Sequence, residues 1–110
     1  MAGKNLLFTF QSCADLNDLW EAIAMPRDPW SGSEASRLAA AESFATQFEK
    51  ICNLLPNHPE VGADRDDLNA GVRSVSMQRC VIYYRTRGDN VEVLRVLRGS
   101  GEIGPGATIG

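Results

Sequence analysis

The sequence predicts an α+β protein in which an N-terminal strand is followed by an α-helical hairpin packed on a three- to four-stranded antiparallel sheet. Helical spacing of apolar residues is confined to residues 13–55, while strand-like segments stand before it and, in a group, after it. Helices grouped ahead of strands are typical of α+β folds with antiparallel sheets. With 110 residues and 44% apolar content, the chain can form one domain with a single modest core.

The first strand and the first helix are predicted at the start of the chain. Leu6–Phe10 has the aromatic and aliphatic composition of a strand. Ser12 and Asp15 have the spacing of a capping box, which predicts a helix over residues 13–24. Its apolar residues recur at helical spacing and include Trp20, which we expect in the core; the set is Leu16, Leu19, Trp20 and Ile23.

A second, longer helix is predicted after a segment rich in proline and glycine. Ser31 and Glu34 repeat the capping spacing, and Pro56 and Pro59 end the helix. Its apolar stripe is expected to face the sheet together with that of the first helix. The stripe consists of Leu38, Ala41, Phe44, Ala45, Phe48, Ile51, Cys52 and Leu55.

The C-terminal part of the chain is predicted to form the remaining strands. After "VRSVSMQ" come Cys80–Thr86 and Val91–Arg98, joined by the turn residues "RGDN". Simple alternation predicts that Tyr83 and Tyr84 face opposite sides, one in the core and the other half-exposed.

Alternation also places Arg95 on one face with Val93 and Leu97. The strands complete a domain over residues 1–98. Residues 99–110 contain five glycines and a proline, and they are predicted to be a flexible tail.

Cysteine usage and the N-terminus predict a cytoplasmic protein. The three cysteines are odd in number and widely spaced, which disfavours a disulfide framework or a zinc site. All three are expected to be small buried side chains. The apolar run "LLF" is too short for a signal peptide or a membrane span.

The net charge of −3 conceals an uneven distribution. Residues 1–70 hold five Lys and Arg against eleven Asp and Glu, whereas residues 71–110 hold six Arg against three Asp and Glu. This division predicts a cationic surface on the strands that meets an anionic partner; arginines on exposed strand faces are the alternative interpretation.

An ordered set of short motifs resembles the RelE/ParE superfamily of toxins from type II toxin–antitoxin pairs, and the ParE branch more closely. The motifs lie within residues 5–99: "ADLNDLWEAIA", Pro59–Gly62, Gly71–Ser74, "VIYYR" and "VEVLRVLRG". The chain departs from many relatives in a longer loop between the helices. It also carries Arg98 where those relatives have a histidine, and Gly101 where they have an arginine.

The resemblance implies a toxin that inhibits DNA gyrase by binding it, without catalysis or a cofactor. It further implies neutralisation by a cognate antitoxin, ParD-like or similar, in a possible hetero-oligomer. No membrane association and no sequence-specific DNA binding by the toxin alone are expected. Guanidinium groups suit such contacts because they pair with carboxylates and phosphates in bidentate geometry. The residues expected to bind target or antitoxin are Arg73, Tyr84, Arg95 and Arg98.

Two alternatives remain open at this point. RelE-like members of the superfamily resemble ribosome-dependent ribonucleases, but such chemistry needs a base and an acid, and His58 is the only histidine of this chain. A non-toxic relative that retains antitoxin binding is the other alternative. Arg73 could equally be a structural arginine that bridges the first hairpin to the helices.

Overall fold

A computed structural model describes residues 4–24, 34–77 and 79–99 of the chain. Its helices and strands occur in the order β1 (Asn5–Phe8), α1 (Phe10–Ala24), α2 (Glu34–Leu54), β2 (Ala63–Asp64), β3 (Val72–Ser76), β4 (Cys80–Arg87) and β5 (Asn90–Arg98). The predicted α+β class and the helical hairpin on a mostly antiparallel sheet are confirmed. The predicted Ser31 cap and the predicted tail beyond Gly99 lie outside the described residues.

The five strands form one sheet in the order β1-β5-β4-β3-β2. All neighbouring strands are antiparallel except β1, which runs parallel to β5 with Asn5 opposite Asn90 and Phe8 opposite Val93. The sheet has more strands than predicted, because two residues of the loop after α2 also pair with β3. Within the described residues, β1 is an edge strand, and its partner β5 is the last strand.

A β-bulge in the β4–β5 pairing changes which side chains face the helices. Tyr83 lies opposite Arg95, whereas Tyr84 lies opposite Val93, so Leu94 is the additional residue on β5. Val93 therefore packs beneath the helices, while Leu97 packs on the other face of the sheet. The expectation that Arg95 shares one face with both of them was wrong.

Both faces of the central strand β4 are covered. On one face the two helices pack over a cluster that includes Leu19, Phe44 and Ile82. On the other face Leu68, from the loop before β3, covers Tyr83. Because β4 has neighbours on both sides and cover on both faces, Tyr83 and Tyr84 are each 0% exposed. The expectation of a half-exposed tyrosine was wrong.

The first helix begins earlier than predicted and is capped by a different residue. Thr9 precedes α1, and its Oγ1 accepts a hydrogen bond of 3.1 Å from the backbone N–H of Ser12. Ser12 lies inside the first turn, where its hydroxyl donates to the carbonyl of Thr9 at 2.8 Å. The predicted capping box of Ser12 and Asp15 was therefore wrong. Asp15 instead binds Arg95 of β5.

The two apolar stripes are only partly buried. Leu19 and Ile23 of α1 and Ala41, Phe44 and Leu55 of the second helical region are buried in the core. Trp20, by contrast, is 44% exposed and Leu38 is 54% exposed, so the prediction of a core Trp20 was wrong.

The cysteines differ in their surroundings. Cys80 is buried and Cys52 half-buried, and burial raises the pKa of each thiol to about 11. Cys13 is exposed on α1, contrary to the expectation that all three are buried. Over the described residues, neither helix combines the length and the apolar composition that crossing a membrane requires.

Candidate functional site

Tyr84 lies inside the protein and holds the loop that follows α2. Its hydroxyl donates to the carbonyl of Pro59 at 2.7 Å and accepts from the N–H of Gly62 at 2.9 Å. A side chain at Gly62 would lie 2.5 Å from that hydroxyl, so the close approach requires glycine. Burial raises the pKa of Tyr84, an effect that the Gly62 N–H and the charge of Arg73 only partly offset. With 0% exposure, Tyr84 presents no surface to a partner in this conformation.

Arg73 holds the same loop from its other side. Its Nη1 donates to the carbonyl of Gly62 at 2.9 Å and lies 3.4 Å from that of Glu60. The side chain is half-buried and projects from β3 beside Tyr84, its neighbour across the strand pair. Arg73 therefore bridges the sheet to the loop after α2, whereas the structural interpretation of this residue expected a bridge to the helices themselves.

Arg95 is held by a carboxylate of its own chain. Its Nε and Nη2 donate to the two oxygens of Asp15 at 2.7 and 3.0 Å, and the N–H of Val96 donates to Asp15 Oδ2 at 3.0 Å. Burial of Asp15 disfavours its charge, but these hydrogen bonds and the guanidinium charge outweigh that effect and lower the pKa of the carboxyl. Asp15 thus joins α1 to β5.

Arg98 is the one predicted site residue that remains exposed without a side-chain partner among the described residues. It ends β5 opposite Cys80. On the edge of β5 away from β4, β1 pairs only as far as Val93. Thr9 and Asp15 bind Leu94 and Val96 along that edge, and no described strand continues beyond them.

A second arginine, which sequence reasoning did not single out, lies at the same end of the sheet. Arg79 is exposed just before β4, and its carbonyl accepts from the N–H of Gly99 at 3.0 Å. The pairing of Cys80 with Arg98 places Arg79 and Arg98 on neighbouring positions of the β4–β5 ladder. This position of Arg79 could have been predicted from the sequence, because an antiparallel hairpin around "RGDN" brings Arg79 beside the end of β5.

The other described arginines are engaged within the chain. Arg65 pairs with Asp67 at 3.0 Å, and Arg85 with Glu92 at 3.0 Å. Arg87 lies 3.8 Å from the same Glu92 carboxylate. Arg37 also has an interaction within the protein. Among the described arginines, Arg79 and Arg98 are therefore the two whose side chains have no described ion pair or hydrogen bond, and their end of the sheet is named here the arginine end.

Comparison with known proteins defines the class to which this fold belongs. The model of the family described as the ParE toxin of the type II toxin–antitoxin system parDE matches residues 28–103. Toxin ParE3 of Caulobacter vibrioides is 32% identical over 66 residues, which are 60% of this chain and 66% of that protein. Toxin ParE1 of the same organism is 29% identical over 87 residues, 79% of this chain and 80% of that protein.

A solved structure has the same fold. A chain of the chromosomal ParDE toxin–antitoxin system from P. aeruginosa superposes with a TM-score of 0.59 at 21% identity, covering 88% of this chain and 97% of that one. Together with the family match over more than half of the sequence, the α+β fold places the protein in the RelE/ParE superfamily. The chain belongs to the ParE toxin family of type II toxin–antitoxin systems.

Proposed function

We propose that this protein is a toxin that inhibits DNA gyrase by binding it and is neutralised by a cognate antitoxin, with no catalytic step of its own. The observation that carries the proposal is the arginine end of the sheet, on a member of the ParE family. A binding inhibitor needs a recognition surface of this kind and needs no acid and base pair. Arg98 is the residue we assign to the target contact.

The surroundings of the other predicted residues support a division of roles. Arg73 and Tyr84 hold the loop at Glu60–Gly62, and Arg95 holds α1 through Asp15. In this proposal these three residues position the surface, whereas Arg98 contacts the partner. The only histidine, His58, lies in the loop after α2, 3.8 Å from Glu60, with a side chain that is 60% exposed. That position, away from the arginine end, supports binding over ribonuclease chemistry.

Two features support the antitoxin as a partner. Trp20 and Leu38 expose apolar surface on the helical hairpin, which an amphipathic helix of a partner can cover. The open edge of β5 beyond Val96 offers backbone groups to an added strand. An antitoxin segment that uses both surfaces would be acidic where it reaches Arg98.

Inhibition of DNA supercoiling by purified gyrase tests the proposal. The wild-type protein is expected to block supercoiling and to accumulate cleaved DNA. Arg98→Ala is expected to raise the concentration needed for half-inhibition by about tenfold or more, the loss typical of a charge-assisted interface contact. Arg87→Ala is the matched control, because Arg87 is an exposed arginine at the other end of β4 and should leave inhibition unchanged.

Binding to the antitoxin separates the possible outcomes. The protein encoded beside this gene should copurify with the wild type after co-expression. If it binds tightly while gyrase is unaffected, the gyrase proposal is wrong and the protein is a non-toxic relative. If ribosome-dependent messenger RNA cleavage appears instead, the binding mechanism itself is wrong.

A further inference from the structure

The two edges of the described sheet differ in how they are protected against pairing with another strand. At one edge β2 has only two residues, and Asp64 places a charge on it, with the exposed Asp66 close behind. Short strands and charged side chains are the usual protection of an edge. At the other edge β1 is four residues long and reads "NLLF", with no charge and no proline. Its pairing with β5 is regular, so the β1 edge also has no bulge that would turn it away.

The outward backbone groups of β1 belong to Leu6 and Phe8. Thr9, at the end of the strand, donates its N–H to the carbonyl of Val93 on β5 at 3.1 Å. Because backbone groups alternate in direction along a strand, those of Leu6 and Phe8 point away from β5. In the described part of the chain β5 is the one strand that pairs with β1, so these two N–H and two C=O groups have no strand partner there.

The side chains beside this edge are apolar. Leu6 and Phe8 pack against the core under the helices, so Leu7 points to the other face of the sheet, where it is 46% exposed. Phe10 begins α1 directly after the strand, and it is 89% exposed. The edge therefore combines unpaired backbone groups with exposed apolar surface.

We propose that the β1 edge binds β1 of a second copy of this chain, in antiparallel orientation and around a twofold axis through Leu7. Leu6 and Phe8 stand at equal distances along the chain from Leu7. A twofold axis therefore sets Leu6 of one copy opposite Phe8 of the other, and each outward N–H meets a carbonyl. The two sheets become one continuous sheet. This inference goes beyond the proposed function and does not rest on it.

Charge favours a second copy over an acidic partner segment at this edge. Residues 5–10 carry no charge, although the chain has a net charge of −3. The nearest cation, Lys4, already donates its ammonium group to the carbonyl of Gly88 at 2.9 Å. Twofold pairing sets each residue near its own copy, which like charges oppose and an apolar pair such as Leu7 with Leu7 favours. The same pairing through β2 would bring Asp64 of each copy close together.

Sedimentation velocity of the full chain over a concentration series tests the inference. The paired strands are short and make a small interface, so the dimer is expected to be weak and its fraction to rise with concentration. Amide hydrogen exchange at Leu6 and Phe8 should slow over the same series. The Thr9 amide, already bonded to Val93, is the internal reference and should change less.

Charge substitutions at Leu7 test the axis itself. Leu7→Lys should weaken the dimer by about tenfold or more, because two lysines would stand directly opposite each other in place of an apolar pair. Leu7→Glu should weaken it likewise, whereas an equal mixture of the two variants should dimerise again. Val61→Lys is the matched control: Val61 is 47% exposed in the loop after α2, and the change should leave the dimer intact. Unchanged thermal midpoints would show that the variants remain folded.

Several results would overturn the inference. These are a wild-type protein that stays monomeric at every concentration, a dimer that Leu7→Lys leaves unchanged, or variants whose mixture fails to dimerise. Protection of the Leu6 and Phe8 amides only in a complex with the antitoxin would assign the edge to that partner instead. None of these measurements contains gyrase, so they are independent of the supercoiling assay.

Discussion

At the scale of single residues, one carboxylate connects the first helix to the last strand. Asp15 accepts two hydrogen bonds from Arg95 and one from the N–H of Val96, and its side chain is only 13% exposed. The pKa of the carboxyl is lowered, so ionised Asp15 favours the folded state. This contribution is fully present above the unfolded pKa of aspartate, about 3.9, and is lost as the pH falls through the folded value.

Asp15→Asn should therefore lower the free energy of unfolding at neutral pH. A loss of about 1.5–3 kcal/mol is expected, the usual range for hydrogen bonds to a charged group. Urea unfolding of both proteins across the acidic range should show the difference shrinking as the wild-type carboxylate becomes protonated. Asp18→Asn, an exposed change on the same helix, should have little effect. A difference that stayed constant into strong acid would attribute the loss to packing rather than to charge.

Tyr84→Phe tests the buried hydroxyl that holds the loop after α2. The change leaves the carbonyl of Pro59 and the N–H of Gly62 without their partner, so the free energy of unfolding should fall by about 1–3 kcal/mol. Hydrogen exchange at the Gly62 amide should accelerate more than exchange at the His58 amide, which is bonded to the carbonyl of Leu54. Equal acceleration at both amides would indicate global unfolding and no local role for the hydroxyl.

The contacts of these residues could be predicted from the sequence only in part. Arginine on the strands was evident from the sequence, and Arg73 was recognised as a possible structural bridge. The pairing of Arg95 with Asp15 was not, because the two residues are 80 positions apart and are brought together only by packing of α1 against β5. Of the four predicted site residues, Arg98 is exposed, Arg73 and Arg95 are half-buried, and Tyr84 is buried.

At the scale of helices and strands, the type of each long element could be predicted, but its pairing and ends could not. β1 and β5, which lie at the two ends of the described chain, pair in parallel. A local sequence pattern does not predict a pairing between segments so far apart. The bulge at Leu94 contains no glycine to mark it, yet it changes the face of every later residue on β5. Simple alternation therefore failed at Arg95 and succeeded where the pairing is regular.

The start of α1 provides a test at this scale. Thr9 accepts from the N–H of Ser12 and donates to the carbonyl of Leu94 at 3.0 Å, so one hydroxyl caps the helix and attaches it to β5. Thr9→Ala should lower the free energy of unfolding by about 0.5–2 kcal/mol, the range for loss of an N-terminal cap. Thr9→Ser keeps the hydroxyl and should retain most of the stability in the same urea measurement. If serine were no better than alanine, the methyl group and not the cap would be responsible.

At the scale of the whole molecule, the uneven distribution of charge between residues 1–70 and residues 71–110 has a physical explanation. The C-terminal part is rich in arginine, but three of its six arginines form ion pairs within the chain: Arg85 and Arg87 with Glu92 on the same sheet, and Arg95 with Asp15 from α1. One acidic residue of the first helix, Asp15, is therefore an internal partner of the strands. The arginine end, with two exposed arginines that have no described partner, is a smaller surface than the composition alone suggests.

The hydrophobic core of the described residues bears on the boundary predicted after residue 98. The three core clusters draw on both helices, the loop at Leu68 and strands β3, β4 and β5. Residues 101–110 contain only Ile103 and Ile109 as large apolar side chains. We therefore expect deletion of residues 101–110 to leave the midpoint of thermal unfolding nearly unchanged in calorimetry.

A deletion at the N-terminal end shows how far the unfolding midpoint falls when residues that pack against the core are removed. Removing residues 1–8 eliminates β1, whose Leu6 and Phe8 pack against the core, and should lower the midpoint strongly or prevent folding. For a domain of this size, about 1 kcal/mol corresponds to a shift of about 4–8 °C. A fall of that size after deletion of residues 101–110 would mean that these residues contribute to the folded domain, and the boundary at residue 98 would then be wrong. An unchanged midpoint together with undiminished inhibition of gyrase would place both stability and function within residues 1–100.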